Sequence, residues 1–467
     1  MTQQYRVALS AVTALSCWGG CVVAQAQTAQ NPARSPAQST ERSTASPLAA
    51  LPQAKLSPVN RTAEGEQGAA GLDVRVSGFA TVGYAVSDQS WRWQRFTDDG
   101  GTFWRDSIVG GQLDARFSPS WSATVQLTLA PSTRHERQWA VEAAWAFVSW
   151  RPDNDWLLRA GKQRVPIFLN AENRDVGQTY AFARLPAEVY AVSPTTDYTG
   201  LSVSRTWQRG SGELAVDAYG GRAQITDRTH TRDLGPQFLP VHTDVVGAAL
   251  TWRSEALNWR LGALHAATER SDGQPLPSRY PFVSPFPGFG YYQVSNAIPG
   301  GPGIRSTDKI VNSIVNLGLD ARVAPNWRVV TEIARNIQGR TDLGANTVGG
   351  YVAVLHTLGH LTPYVSLARL QTLGAPRKAA EALQASAGSG SDPLSVAQRA
   401  AADAIPVYDQ TSAGVGAAYA LSPRSQLKGE WMHTRIGRRS AMADDPPEGT
   451  VSQTGVNVLS LSYSVVF

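Results

Sequence analysis

"WSATVQLTLA", residues 121–130, alternates without a break: Trp121, Ala123, Val125, Leu127 and Leu129 are apolar, and Ser122, Thr124, Gln126 and Thr128 between them are polar. A period of two puts the two sets on opposite faces of a β-strand, one greasy and one wet. "VLSLSYSVVF", residues 458–467, repeats the pattern, with Leu459, Leu461, Tyr463, Val465 and Phe467 on one face and Ser460, Ser462 and Ser464 on the other. Each stretch is about ten residues long, which is what a tilted strand needs to cross the apolar layer of a bilayer.

Working outward, the same rule marks segments at about 72–87, 106–118, 139–151, 156–163, 199–207, 212–221, 242–253, 258–268, 308–323, 326–338, 346–356, 362–370, 409–421 and 425–436. With 121–130 and a last segment at 455–467 that contains the second quoted stretch, the total is about sixteen, an even number, as single-chain bacterial barrels require. The connections alternate in length. Short turns, "SPS", "RPDND", "QRGSG", "SEALN", "APN", "TLGH" and "SPRS", separate longer polar or Gly/Pro-rich stretches at 88–105, 131–138, 164–198, 222–241, 269–307, 371–408 and 437–454, with 339–345 the shortest of them. Short periplasmic turns opposite long extracellular loops are the asymmetry of an outer-membrane barrel. After the N-terminal leader no apolar run reaches the roughly 18 residues that a spanning helix needs. The sequence therefore predicts an all-β fold over 71–467: a closed antiparallel transmembrane β-barrel in the bacterial cell outer membrane, in contact with its lipid and lipopolysaccharide.

Four of the short turns run into tryptophan: "FSPSW" at Trp121, "RPDNDW" at Trp156, "SEALNW" at Trp259 and "VAPNW" at Trp327. An indole is apolar over its rings yet keeps an N–H for water, so it suits the membrane boundary. These four are expected in an aromatic girdle at the periplasmic edge. A buried β-sandwich can also carry tryptophans near turns, but four at one turn-relative position favour the girdle.

Residues 1–26 have the form of a secretory signal peptide: one cation (Arg6), an apolar run, and "AQA" at 24–26. A lipoprotein reading of "WGGC" competes less well, because Trp18 is a poor residue before the cysteine. Cys17 and Cys21 are the only cysteines and both fall inside the leader, so no disulfide and no cysteine-based metal site is expected after processing. Residues 27–70 are rich in Ala, Ser, Pro, Gln and Thr and hold no aromatic, which predicts a disordered periplasmic extension. Loss of Arg6 takes 42 basic residues to 41 against 37 acidic, a net charge of +4. No concentrated basic face points to nucleic acid.

If the apolar face meets lipid, the other face meets the lumen. In register it presents Arg75, Asp114, Arg116, Glu142, Arg159, Arg260, Asp320, Arg322, Arg328, Glu332, Lys428 and Glu430, together with Asp73, Glu213 and Asp217. Unpaired charges in a dry interior cost several kcal/mol each, so water is expected to reach most of them. A barrel this wide holds an aqueous channel. The alternative, a lumen closed by mutually satisfied ion pairs, would need a plug segment, and none is visible.

The connection between the fifth and sixth strands, "RVPIFLNAENRDVGQTYAFARLPAEVYAVSPTTDY" at 164–198, carries apolar anchors (Ile167, Phe168, Leu169, Tyr180, Phe182, Tyr190) that an exposed loop has no use for. They predict an inward-folded third loop that narrows the channel with Arg164, Glu172, Arg174, Asp175, Arg184 and Glu188, the kind of charged constriction that sets pore selectivity. Lys162 to Tyr198 holds four basic and four acidic residues, so ion preference does not follow from counting.

"LLRAGKQRVPIFLNAENRDVGQTYAFARLPAEVY", "IPVYDQTSAGVGAAYALSPRSQLKGEW" and "SLSYSVVF" resemble segments of Gram-negative outer-membrane porins, within the sixteen-stranded porin-like and phosphate-selective-porin-like group. The resemblance covers about residues 72–467, and its third-loop segment is more telling than the terminal phenylalanine, which many barrels share. It implies a homotrimeric channel for passive diffusion of small hydrophilic solutes or ions, inserted by the barrel-assembly machinery, with no cofactor and with the six third-loop residues at the constriction. The chain departs from dedicated phosphate channels in lacking a dense lysine and arginine ladder, and it has no recognisable N-terminal coiled coil.

Other features point less far. His265 and His433 fall in outward register, but no serine can be placed beside either from sequence, so a membrane-embedded hydrolase is disfavoured. His356 and His360 flank a turn rather than share a helix face, which speaks against a metal pair. "DD" at 98–99 and 444–445 fits solvated loop tips better than calcium sites. Within 371–408, two short helices are predicted, the second with Asp392 as cap and Pro393 at its first position; they either cover the mouth or project outside. The competing function is an outer-membrane receptor or structural barrel whose loops at 269–307 and 371–408 bind a partner.

Overall fold

The computed structural model describes residues 72–191, 193–297, 301–444 and 451–467. The signal peptide and extension expected over 1–70, with Cys17 and Cys21, lie outside the described residues, as does Asp445.

Sixteen antiparallel strands form a closed barrel. They are β1 (Asp73–Ser87), β2 (Ile108–Arg116), β3 (Trp121–Pro131), β4 (Trp139–Trp150), β5 (Trp156–Arg164), β6 (Asp197–Arg209), β7 (Gly212–Thr231) and β8 (Gly235–Arg253). The second half is β9 (Leu257–Arg270), β10 (Ile310–Ala324), β11 (Trp327–Gly339), β12 (Thr347–His356), β13 (Leu361–Thr372), β14 (Tyr408–Ser422), β15 (Ser425–Ser440) and β16 (Gly455–Val466). Each pairs with its neighbours in chain order, and β1 pairs with β16 to close the ladder. Every barrel strand contains a segment that alternation marks, and β7 and β8 run well beyond theirs. Closure satisfies the backbone N–H and C=O groups without water, the condition for crossing a bilayer.

Side-chain burial follows the period of two. On β3, Val125, Leu127 and Leu129 are exposed on the outside while Gln126 and Thr128 are buried inside. Val315 and Leu317 on β10, Val365 and Leu367 on β13, and Leu459 and Leu461 on β16 repeat it. So continuous an exposed apolar surface belongs against lipid rather than water.

The long connections carry more strand than the alternation marks, including short two-stranded sheets such as Phe282–Phe286 with Phe289–Tyr292. The largest difference is at 222–241, where the alternation predicts a loop: β7 and β8 pair from Glu213↔Arg253 up to Thr231↔Gly235, leaving only a turn at 232–234. Gly235 sits at φ +69°, a conformation that costs glycine nothing and lets so long a hairpin reverse tightly. The connection after β13 carries two helices, Ala375–Ala387 and Pro393–Asp403. The Asp392 carboxylate caps the second, accepting from the N–H of Leu394 (3.1 Å) and Ser395 (3.0 Å). Both helices pack with Tyr280, Val294 and Leu343 from the two preceding long connections in a core separate from that of the barrel.

Candidate functional site

The third long connection, 165–196, carries two short helical turns, a 3₁₀ turn at Gly177–Thr179 and an α turn at Ala187–Tyr190. Its apolar side chains Val165, Ile167, Phe168, Phe182, Val189 and Tyr190 form one cluster with inward-facing Ile314, Val330, Tyr351 and Tyr364. Two wall glycines make the close approach feasible. A Cβ at Gly262 would stand 2.6 Å from the Ile167 carbonyl oxygen, and one at Gly349 2.0 Å from the Glu188 carbonyl oxygen.

Polar tethers complete the docking. Glu332 accepts from the N–H of Leu169 (3.0 Å) and the hydroxyls of Tyr190 (2.5 Å) and Tyr351 (3.0 Å). The Asn316 amide adds a fourth donor at 3.2 Å. Lys428 Nζ donates to the carbonyls of Gly177 (2.5 Å) and Phe182 (2.9 Å). Tyr364 donates to Glu430 (2.8 Å) and accepts from the Ala183 N–H (3.1 Å). Arg260 donates to the Phe168 carbonyl (2.9 Å) and to Glu172 (3.4 Å). Burying so many charges is tolerable because each is hydrogen-bonded.

The six loop residues singled out from sequence divide three ways. Arg174, Asp175 and Arg184, with Asp106, Tyr180 and Lys428, line a cavity of about 50 Å³. Arg184 donates to Asp106 (2.8 Å), which also pairs with Arg105 (2.6 Å). Burial alone would raise the Asp106 carboxyl, but Arg105 and Arg184 outweigh it and hold it below the ordinary value. Burial raises Asp175 to about 7 despite Arg164 and Arg174, and burial lowers Arg174 to about 10 against the pull of Asp175. Glu172, with a third of its side chain exposed (33%), lies with Arg159 and Arg164 on a second, smaller cavity. Burial would raise it too, but Arg260, Arg159 and Arg253 together keep it ionised and lowered.

Arg164 and Glu188 do something other than face an open channel. Arg164 pairs with Asp175 at 2.8 Å with both side chains wholly buried. Glu188 accepts from Gln410 (3.0 Å) and Ser412 (2.5 Å) on β14. Both hold the loop to the wall.

Several wall charges are likewise covered. Arg260, Glu332, Lys428 and Glu430 are buried beneath the loop, where the sequence placed them against water, because the loop's own backbone and tyrosines replace water as partners. Asp114 accepts from Gln112 (2.7 Å) and Thr124 (2.6 Å). Arg328 pairs with Asp320 inside, and Arg322 with Glu255 (2.9 Å) and Arg75 with Asp73 (3.5 Å) at the short-turn rim. Arg116 is exposed, Glu142 is half-buried, and Arg159 lies over the Phe147 ring at 5.1 Å.

Trp121, Trp156 and Trp327 each open a strand at the short-turn end, and Trp259 stands third in β9. Trp121 stacks on Trp150 at 6.0 Å and Trp327 on His356 at 4.2 Å. A serine does stand beside His265 after all: Ser313, at 3.1 Å on the next strand, a cross-strand neighbour that sequence distance hid. His433 bonds Asn457 instead (2.9 Å). Asp444 is no solvated loop tip, since it is buried and accepts from Arg228 (2.5 Å). Sequence reasoning also missed Trp145 and Phe147, which face inward.

A closed sixteen-strand ladder, greasy outside and charged inside, defines a transmembrane β-barrel of the bacterial outer membrane. In overall shape the chain is similar to an anion-selective porin from Comamonas acidovorans, at 10% identity over 85% of this chain and 100% of that one, with a TM-score of 0.46. It is also similar to the outer membrane channel DcaP of Acinetobacter baumannii, at 12% identity over 86% and 99% and a TM-score of 0.47. A third likeness is to OmpF of Salmonella typhi, at 10% identity over 84% and 97% and a TM-score of 0.42. No family model matches the chain and no curated protein matches its sequence.

Proposed function

We propose that the protein is an outer-membrane porin through which small hydrophilic solutes or ions diffuse passively, with the third loop as its constriction. One observation carries this: the loop that crosses the inside of the barrel gathers Arg174, Asp175, Arg184 and Asp106 around one cavity, where charge acts on a passing ion with little screening. Assembly as a homotrimer and insertion by the barrel-assembly machinery belong to the same reading. The phosphate-selective branch does not, because the chain lacks a dense lysine and arginine ladder. Single-channel recording in a planar bilayer tests it: stepwise conductance is expected, and a silent, correctly folded protein overturns it. That silent outcome would favour the receptor reading, which the separately packed core of the extracellular helices and the connection at 271–309 supports.

A further inference from the structure

The β7–β8 hairpin is about twice as long as a bilayer needs. β7 holds 20 residues and β8 holds 19, whereas about ten cross the apolar layer. At about 3.3 Å per residue the remainder is an arm of roughly 33 Å. A two-stranded arm standing alone in water is marginal, so the places where it is held decide what it does.

Connections from three other parts of the ring hold it. Arg228 donates to both oxygens of Glu136 (2.7 Å each), between β3 and β4, and to Asp444 (2.5 Å), between β15 and β16. At the tip, Arg232 donates to Asp403 through its guanidinium (2.5 and 2.9 Å) and its backbone N–H (3.1 Å). Asp233 beside it accepts from Arg399 (2.8 and 2.9 Å). Asp403 and Arg399 belong to the helix Pro393–Asp403, between β13 and β14. Round the closed ladder, the connection after β15 stands opposite β7 and β8, with that after β3 to one side and that after β13 to the other. An arm that rises from β7 and β8 and meets all three lies across the extracellular mouth.

The fastening is polar. Apolar packing of the hairpin ends at Ile225, Leu239 and Val241, which sit with Leu276 and Ile310. Between 226 and 238 no residue joins an apolar cluster of the described residues. Arg228, Arg399 and Asp444 are buried, and two-pronged guanidinium–carboxylate pairs fix one geometry. The acids also have second cations: Asp403 accepts from Arg439 (2.8 Å), and Glu136 pairs with Arg92 (3.4 Å). Removing the hairpin's own arginines therefore frees the arm without stranding these carboxylates in a buried site.

We propose that the β7–β8 hairpin is a strap across the extracellular mouth, a second constriction in series with the third loop, with Arg228, Arg232 and Arg399 as its latch. The inference rests on the porin reading for the channel that the strap narrows. The test compares the unaltered barrel with two variants in planar bilayers. One carries Arg228→Gln, Arg232→Gln and Arg399→Gln. The other carries Arg228→Gln and Arg399→Gln with Arg232→Cys and Asp403→Cys, recorded before and after cross-linking by a short bismaleimide. Hydrogen exchange on peptides spanning 224–238 reports release of the arm. Both unlinked variants are expected to lose protection there and to conduct about twofold more, and cross-linking is expected to restore the lower conductance. Unchanged protection in the triple variant overturns the latch. Lost protection with unchanged conductance overturns the constriction, and so does a rise that cross-linking fails to reverse, which assigns the effect to lost charge. Failure of the porin reading looks different: neither the unaltered nor the released protein conducts, while exchange still shows the arm let go.

Discussion

The Glu332 carboxylate is the point at which the third loop is most vulnerable. Replacing it by alanine (E332A) strips the acceptor from four groups at once: the hydroxyls of Tyr190 and Tyr351, the Leu169 N–H and the Asn316 amide. Two of them, Tyr190 and Leu169, belong to the loop, and two to the wall. A buried donor left without its acceptor costs about 1–3 kcal/mol, and bonds to a charged acceptor sit at the upper end. With part of that cost relieved by water entering from the lumen, docking of the loop is expected to weaken by about 3–5 kcal/mol. Each 1.4 kcal/mol is tenfold, so the undocked population rises by about 10²–10³ or more. Hydrogen-exchange mass spectrometry on peptides spanning 165–191 reads this directly, as a matching loss of protection while the strands β3 and β16 keep theirs. Single-channel records of the same variant are expected to gain open-channel noise. Protection equal to the unaltered protein would refute the reasoning, because it would mean that the apolar cluster around Phe168 and Tyr351 alone holds the loop.

Other outcomes follow from the same geometry. Replacing Arg174 and Arg184 together by glutamine should move the reversal potential in a salt gradient toward cation preference. A change on the order of twofold in permeability ratio is expected, since the Debye length of about 10 Å at 0.1 M spans a narrow channel. Arg164→Gln, which leaves Asp175 buried without its closest cation, should instead lower stability in urea. The raised Asp175, at about 7 against an ordinary 3.8, holds a proton in the docked loop that it would release when undocked. Docking is therefore strongest below about pH 4 and weakens as pH rises through about 7, and Asp175→Asn should flatten that profile in hydrogen exchange. Leu317→Arg, on a lipid-facing residue 50% exposed in the middle of β10, should cost about 2–4 kcal/mol in urea unfolding from lipid vesicles. Leu421→Arg, near the rim end of β14, should cost about 0–1.

How much was legible depends on what lipid enforces. Leu127 and Leu129 had to face out and Gln126 and Thr128 in, so β3 could be placed to within a residue, as could β16. Beyond the bilayer that constraint lapses. Residues 222–231 carry Gln224, Thr226 and Asp227 in no strict alternation, and their strand character comes from pairing with 235–244. The bulge at Ala144 was illegible for a related reason, because one inserted residue exchanges the faces and the apolar Trp145 and Phe147 fit either. Charge alone told that Arg174 and Glu188 belonged to the third loop's business. It did not tell that one lines a cavity and the other is bolted to Gln410, 222 positions away.

The closing of the ladder by β1 and β16 has a consequence for biogenesis. The hydroxyls of Thr81 and Ser464 meet at 3.0 Å across 383 positions of chain, and the Phe467 and Gly78 backbones exchange hydrogen bonds of 2.8 and 2.9 Å beside them. No portion lacking β16 can seal itself, so any partly assembled barrel presents two raw sheet margins until the last strand, Gly455–Val466, is in place.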